Sequence, residues 1–261
     1  MVPDYPVEFW FLAVPAVVLY GISKAGFGIG VGILATPLLT LAIPATEAVT
    51  ILAPLLIITD FFTVIHYRLN FHRQSIVLLL PAAMIGIAAG GLFFGYFRAS
   101  QRSLQMVMGI LALSFVLFQL LRAMIMGAVE ARRPPPVAGL FLGALAGFVS
   151  TLSHAGGPPI AVYLLPQQLP RQLFVGTTVI FFAVVNLLKV VPYQMLGLFN
   201  PGNLSAVVWL APLTYIGVRL GLYLNRRFTD LWFNRVIYAL LFVTGVQLVV
   251  GKNLLGMLMG K

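Results

Sequence analysis

The chain of 261 residues contains no cysteine, and its charged residues are scarce. The absence of cysteine excludes disulfides, thiolate metal ligands and thiol catalysis. Only 8% of the residues are charged, whereas an average soluble domain carries about a quarter. Because 61% are hydrophobic, a water-soluble fold could not bury its apolar side chains. The composition therefore predicts a polytopic protein embedded in a lipid bilayer, with no separate soluble domain.

Acidic residues are the rarer charge, with six Asp and Glu against 16 Lys and Arg. In a soluble protein this excess would suggest a nucleic-acid partner. Here the basic residues fall mostly in short loops between apolar runs, where they orient a membrane protein, so no nucleic-acid partner is expected. No basic residue precedes Lys24, and no cleaved signal peptide is expected either. The three histidines lack metal-ligand spacing, so we expect no metal and no cofactor.

Hydropathy predicts eight apolar segments. Each is at least as long as the ~20 residues that are needed to cross a bilayer. Two of them are interrupted. Residues 7–43 are broken at "GISKAGFGIGVG" (21–32), and residues 137–166 are broken at "SHAGGPP" (153–159). The six uninterrupted segments cover residues 47–66, 75–97, 104–126, 172–192, 204–225 and 231–250.

The order of segments indicates an internal duplication. A broken segment and three spans (1–129) are followed by the linker "EARRPPP" (130–136), then by a second broken segment and three spans (137–261). A shift of 126 residues aligns matching residues, namely Gly30 with Gly156, Pro44 with Pro170, Asp60 with Asn186 and Tyr67 with Tyr193. A shift of 131 then aligns Gly86 and Gly90 with Gly217 and Gly221. These last four form small-x-x-x-small patterns that favour close helix packing.

The distribution of basic residues predicts the topology. If each broken segment crossed the membrane once, both faces would hold six. If each broken segment returned to the face it entered, one face would hold eight basic residues and the other four. The eight are Arg68, Arg73, Arg132, Arg133, Arg171, Arg226, Arg227 and Arg235. The four are Arg98, Arg102, Lys252 and Lys261. The positive-inside rule makes the first face cytoplasmic. Both termini are then extracytoplasmic in a cell inner membrane, and the halves are inverted.

The predicted fold is an all-α membrane protein of two inverted repeats, each a broken, re-entrant helix segment plus three transmembrane helices. Such architectures are typical of secondary transporters, whose substrate site lies at the repeat interface. Irregular backbone at membrane depth must face protein or a water-filled cavity. The glycines of the two breaks (Gly28, Gly30, Gly156 and Gly157) would bring free N–H groups and helix N-termini to an anion. The alternative is a tight re-entrant turn that serves packing alone.

Four charged side chains lie inside apolar runs. Lys24 and Lys189 are candidates for direct anion contact, or else they snorkel to a membrane face. Asn186 and Lys189 share one helix face, by their spacing of three. Asp60 would carry a coupling proton or be the charge partner of a lysine. Arg219, deep in the seventh span, would guide substrate or pair with Asp60.

Other polar side chains near the second break complete the candidate site. His154 would contact an anion or make a turn hydrogen bond. Thr177 and Thr178 would bind substrate, or donate to carbonyls of their own helix.

Three motifs carry a resemblance to a known family. They are "SKAGFG" (23–28), "HAGGPP" (154–159) and Asn186-x-x-Lys189-x-x-x-Tyr193. Together with the order of both repeats, they resemble the TauE/SafE family of sulfite exporters. The resemblance implies a transporter, not an enzyme, that moves a small sulfur-containing anion, sulfite or an organosulfonate, out of the cytoplasm. An anion channel, an importer and an intramembrane enzyme using Ser153 and His154 are the alternatives. The sequence leaves homodimerisation open.

Overall fold

The computed structural model of the chain describes residues 5–26, 32–128, 134–225 and 230–251. Within these ranges the chain is all-helical, without strands. The helices, in chain order, are α1 (Val7–Gly26), α2 (Gly32–Leu39), α3 (Ala45–Tyr67), α4 (Arg73–Phe97), α5 (Gln101–Ala128), α6 (Pro136–Ser153), α7 (Gly157–Leu164), α8 (Arg171–Leu188), α9 (Val190–Met195), α10 (Pro201–Asn225) and α11 (Asp230–Val250).

Seven helical segments in the described residues are long and apolar enough to cross a membrane, with α8 and α9 together counting as one. Ile237–Val250 of α11 adds a shorter apolar helix. The six uninterrupted segments predicted from hydropathy all correspond to helices, and their ends differ by a few residues only. The prediction of an all-α membrane protein is therefore confirmed.

The first interruption begins later than predicted. Helix α1 runs through Gly21 and ends only at Gly26, so the prediction that the break starts at Gly21 is wrong. These glycines serve close packing. A Cβ at Gly21 would lie 2.9 Å from the Cα of Gly217, and one at Gly26 would lie 2.8 Å from the Gly221 carbonyl oxygen. As a result, Lys24 lies in the last turn of a regular helix.

The second interruption lies where the sequence predicts it. Helix α6 ends at Ser153, and His154 adopts a left-handed conformation with φ +57°. Helix α7 begins at Gly157, with Pro158 in its first turn, where the missing N–H of proline has no cost. The chain therefore reverses sharply within four residues.

A third interruption, between α8 and α9, was not predicted. Pro192 cannot donate to the carbonyl of Leu188 four residues earlier, and its ring crowds that carbonyl. The chain leaves regular helical geometry at Lys189, where ψ is −9°. Lys189 therefore lies at a kink inside a membrane-length helical segment.

Each broken segment begins and ends at the same end of the bundle. The Tyr5 hydroxyl, before α1, donates to Glu47 Oε1 in the first turn of α3 at 2.6 Å. Burial and the Glu47 carboxylate raise the pKa of Tyr5, which keeps this hydroxyl a donor. At the opposite end, the Pro135 region before α6 lines one cavity with Tyr163 near the end of α7 and with Ser75 of α4.

Close helix contacts join the two halves of the chain in a repeated pattern. A Cβ at Gly217 of α10 would lie 2.7 Å from the carbonyl oxygen of Val18 in α1. A Cβ at Gly86 of α4 would overlap the carbonyl oxygen of Ala144 in α6. The shift of 131 residues relates Gly86 to Gly217, and the shift of 126 residues relates Val18 to Ala144. The next helix turn repeats them, with Gly221 against Ile22 and Gly90 against Phe148. The second span of each half therefore packs on the broken helix of the other.

Candidate functional site

A buried ion pair joins α1 to α3. The Lys24 ammonium contacts Asp60 Oδ1, and both side chains are buried. The Asn186 amide of α8 donates to Asp60 Oδ2 at 2.6 Å, and Lys24 also donates to the Tyr20 hydroxyl at 3.2 Å. Both oxygens of the carboxylate are therefore engaged, one by each half of the chain. Lys24 is held inside the protein and does not snorkel to a membrane face.

Lys189 is fully buried and contacts neutral acceptors. Its ammonium lies 3.2 Å from the Ser150 carbonyl oxygen, 3.1 Å from Ser150 Oγ and 2.5 Å from His154 Nδ1. Because an ammonium only donates, Nδ1 of His154 accepts, and Nε2 carries the proton that is donated to the Val49 carbonyl oxygen at 2.9 Å. This arrangement fixes a neutral imidazole beside the Lys189 amino group.

Two tyrosines make matched hydrogen bonds at the ends of the two broken helices. The Tyr67 hydroxyl donates to the Ala25 carbonyl oxygen at 2.9 Å, and the Tyr193 hydroxyl donates to that of Thr151 at 2.6 Å. Each pair is separated by 42 residues. Carbonyls in the last turn of a helix lack intrahelical partners. The tyrosines therefore stabilise the helix ends that carry Lys24 and Ser150.

The second break contacts the beginning of α2. Ala155 packs in one cluster with Ile33 and Leu34. A Cβ at Gly156 would lie 2.6 Å from the Ala146 carbonyl oxygen, so this glycine is needed for packing against α6, the alternative left open by the sequence. Gly157 is half-buried where α7 begins. The other predicted glycines, Gly28 and Gly30, lie outside the described residues.

Other predicted residues lie apart from the two lysines. The hydroxyls of Thr177 and Thr178 donate to backbone carbonyls of their own helix at 2.6 and 2.8 Å. Eight residues separate Thr178 from Asn186, which is about 12 Å along a helix axis. Arg219 is exposed on α10, and Asp60 has Lys24 and Asn186 as its partners instead.

Sequence reasoning missed Tyr20 and Ser150 at the candidate site, and it did not single out Thr36. The hydroxyls of Tyr20 and Ser150 accept hydrogen bonds from the two lysines directly. The buried Thr36 hydroxyl of α2 has no hydrogen-bond partner in the part of the chain that the structure describes. The shift of 126 residues aligns Ser150 with Lys24, so this shift held a signal for Ser150. Tyr20, one turn before Lys24, could have been found by its helical spacing.

The geometry at Ser153 does not support nucleophilic catalysis. Its hydroxyl donates to the Val149 carbonyl at 3.4 Å, while both ring nitrogens of His154 contact other groups. A serine nucleophile needs its base within hydrogen-bond reach. The intramembrane-enzyme alternative therefore lacks its catalytic pair.

Membrane-length helices around a buried group of lysine, carboxylate and amide side chains define a polytopic membrane protein. Residues 13–248 match the family model described as sulfite exporter TauE/SafE, and the chain belongs to this family. The family is one of membrane transporters and not of enzymes. No curated protein and no solved structure shows significant similarity to the chain.

Proposed function

We propose that this chain is a secondary transporter that exports a small sulfur-containing anion, sulfite or an organosulfonate. The observation that carries the proposal is the fully buried Lys189 side chain, whose hydrogen-bond partners among the described residues are all neutral groups. A buried cation without a counter-charge is costly, and a bound anion would remove that cost. The family supports the same substrate class.

The proposed site lies between the two halves of the chain. Lys24 and Asp60 come from the first half, while Asn186, Lys189 and His154 come from the second. The glycines of the two breaks, Gly28, Gly30, Gly156 and Gly157, would supply backbone N–H groups to the same anion. In this proposal Asp60 is the charge partner of Lys24, a role that its ion pair supports.

The two halves, residues 1–129 and 137–261, are proposed to be inverted repeats joined by the linker 130–136. Support comes from the broken segments. Each starts and finishes at the same end of the bundle, and the two segments use opposite ends. The matched bonds of Tyr67 and Tyr193 also support it. Rocking of one half against the other would expose the site alternately to each face.

The proposed orientation places both termini outside the cytoplasm, in a cell inner membrane. Arg73 begins α4, at the end where the second broken segment starts, and Arg98 follows the other end of α4. The greater number of basic residues in loops on the Arg73 side predicts that this side is cytoplasmic. An inside-negative potential then favours anion exit by about 2.3 kcal/mol per charge per 100 mV. This is why export is proposed over import.

A carrier is favoured over an open channel. Lys189 is fully buried and Lys24 nearly so. A channel needs a continuous polar path, whereas a carrier closes over its site. No nucleotide-binding motif accompanies the spans, which supports transport driven by gradients.

Flux in proteoliposomes tests the proposal. Vesicles containing the purified chain are loaded with sulfite, sulfate, thiosulfate, sulfoacetate or taurine, and release is measured with and without a membrane potential. We expect saturable release of at least one anion, accelerated by a potential that is negative inside, and counterflow with the same anion. Transport of a cation with no anion flux would overturn the proposal.

A further inference from the structure

The charged side chains buried in the described part of the bundle do not balance. They comprise two ammonium groups, Lys24 and Lys189, and one carboxylate, Asp60. His154 is neutral, because its Nδ1 accepts from Lys189 while Nε2 donates to a carbonyl. With both lysines protonated, one positive charge is therefore left over. An occupant with a single negative charge would neutralise it.

The excess charge resides at Lys189. Asp60 uses one oxygen for Lys24 and the other for the Asn186 amide, so it forms a compensated pair at the first lysine. The acceptors around Lys189, from Ser150 and His154, carry no formal charge. A monoanion at this site forms a neutral complex. A dianion leaves one negative charge buried, which is costly at low dielectric.

The duplication shows which residue sets the charge of the site. Asp60 and Asn186 are related by the 126-residue shift, and they contact each other through a 2.6 Å hydrogen bond. Two carboxylates at these positions would give a site with no net charge, and two amides a site with two positive charges. The chain has one of each, which leaves a single positive charge.

We propose that the site is matched to singly charged oxyanions and that Asp60 is the residue that determines this valence. The preferred class is then monoanions such as hydrogensulfite and monosulfonates, with doubly charged anions of similar shape discriminated against. This inference rests on the proposed function, since it assigns the charge class of the anion bound at the same site.

Competition between two tetrahedral anions of similar size and different charge tests the proposal. Methanesulfonate carries one negative charge and sulfate carries two. Titration calorimetry of the purified, lipid-reconstituted chain gives the ratio of their dissociation constants. We expect the wild-type chain to bind methanesulfonate at least about ten-fold more tightly than sulfate. Asp60→Asn should shift this ratio toward sulfate by at least about ten-fold.

Two further variants separate the charge of Asp60 from its structural role. Asn186→Asp adds a second carboxylate, so binding of both anions should be lost. The double variant Lys24→Met/Asp60→Asn removes one charge of each sign, so the preference for methanesulfonate should persist even if affinity falls. Size-exclusion chromatography and thermal unfolding in the same lipid show whether each variant is folded. The double variant and Asn186→Asp keep the test decisive if Asp60→Asn does not fold.

The outcomes distinguish this inference from the proposed function. If the wild-type chain binds or transports none of the anions tested, the proposed function itself fails. If it binds anions but Asp60→Asn leaves the ratio unchanged, the valence assignment is overturned while the function stands. A wild-type preference for sulfate would also overturn the assignment. A ratio reversed in the double variant would mean that Asp60 acts through geometry and not through charge.

Discussion

Tyr67 and Tyr193 make the same hydrogen bond in the two halves of the chain, each to a carbonyl 42 residues earlier at the end of a broken helix. The shift of 126 residues therefore relates both the donors and the acceptors of these two hydrogen bonds. Each tyrosine ties the span after the break to the helix before it, and that helix end carries a group of the candidate site, Lys24 or Ser150.

Removing either hydroxyl should weaken the fold by a similar amount. In Tyr67→Phe and Tyr193→Phe a buried carbonyl loses its donor, and each change should lower the free energy of unfolding by about 1–3 kcal/mol. Chemical or thermal unfolding in detergent measures both. Tyr96→Phe is the matched control, because Tyr96 is exposed and should tolerate the change. A large effect at one position with none at the other would contradict the equivalence of the two bonds.

The Lys24–Asp60 pair should behave as a coupled unit. Lys24→Met leaves the buried Asp60 carboxylate without its cation, and breaking a buried pair from one side costs about 3–5 kcal/mol. The double variant Lys24→Met/Asp60→Asn should be more stable than Lys24→Met alone, because no orphaned charge remains. A double-mutant cycle of unfolding free energies measures the coupling. Strictly additive effects would show that the two groups do not interact in the folded protein.

Removing the charge of Lys189 should reduce sulfite release far more than removing the charge of Arg219. Lys189→Gln removes the buried cation proposed to bind substrate and should abolish sulfite release from proteoliposomes. Arg219→Gln removes the same charge from an exposed position on α10 and should leave release close to that of the wild type. Size-exclusion profiles check that both variants fold. Equal rates in the two variants would move the substrate site away from Lys189.

The chain lacks native cysteine, so single introduced cysteines report topology directly. A cysteine at exposed Asn70, between α3 and α4, should react with a membrane-impermeant maleimide only from the cytoplasmic side. One at exposed Ser100, between α4 and α5, should react only from outside. Labelling of intact cells and of inverted vesicles compares the two sides. The reverse pattern would overturn the proposed orientation, although not the fold.

Sequence alone predicted the features that depend on composition and on helix-breaking residues. Hydropathy located the long helices, and the Gly-Gly-Pro-Pro run located the second break, because a helix cannot continue through it. The sequence predicts the first break at Gly21, which is too early, because α1 continues to Gly26. The role of Gly21 is a contact with Gly217 of the other half, and such long-range contacts cannot be read from local sequence.

For the site, sequence identified Lys24, Asp60, Asn186 and Lys189 because polar groups are rare in apolar runs. It could not pair them. Asp60 had two lysines and Arg219 as candidate partners, and only the packing of α1 against α3 assigns it to Lys24. The His154 acceptor of Lys189 depends on the left-handed turn at His154, a backbone conformation that non-glycine residues seldom adopt.

The position of a bound anion tests the account most directly. Hydrogenselenite resembles hydrogensulfite in shape and charge, and selenium scatters X-rays anomalously, so crystals grown with selenite can locate the bound anion. We predict an anomalous peak between the two halves of the chain, with its oxygens within hydrogen-bond distance of the Lys189 ammonium. A peak confined to exposed arginines, with none beside Lys189, would contradict the account.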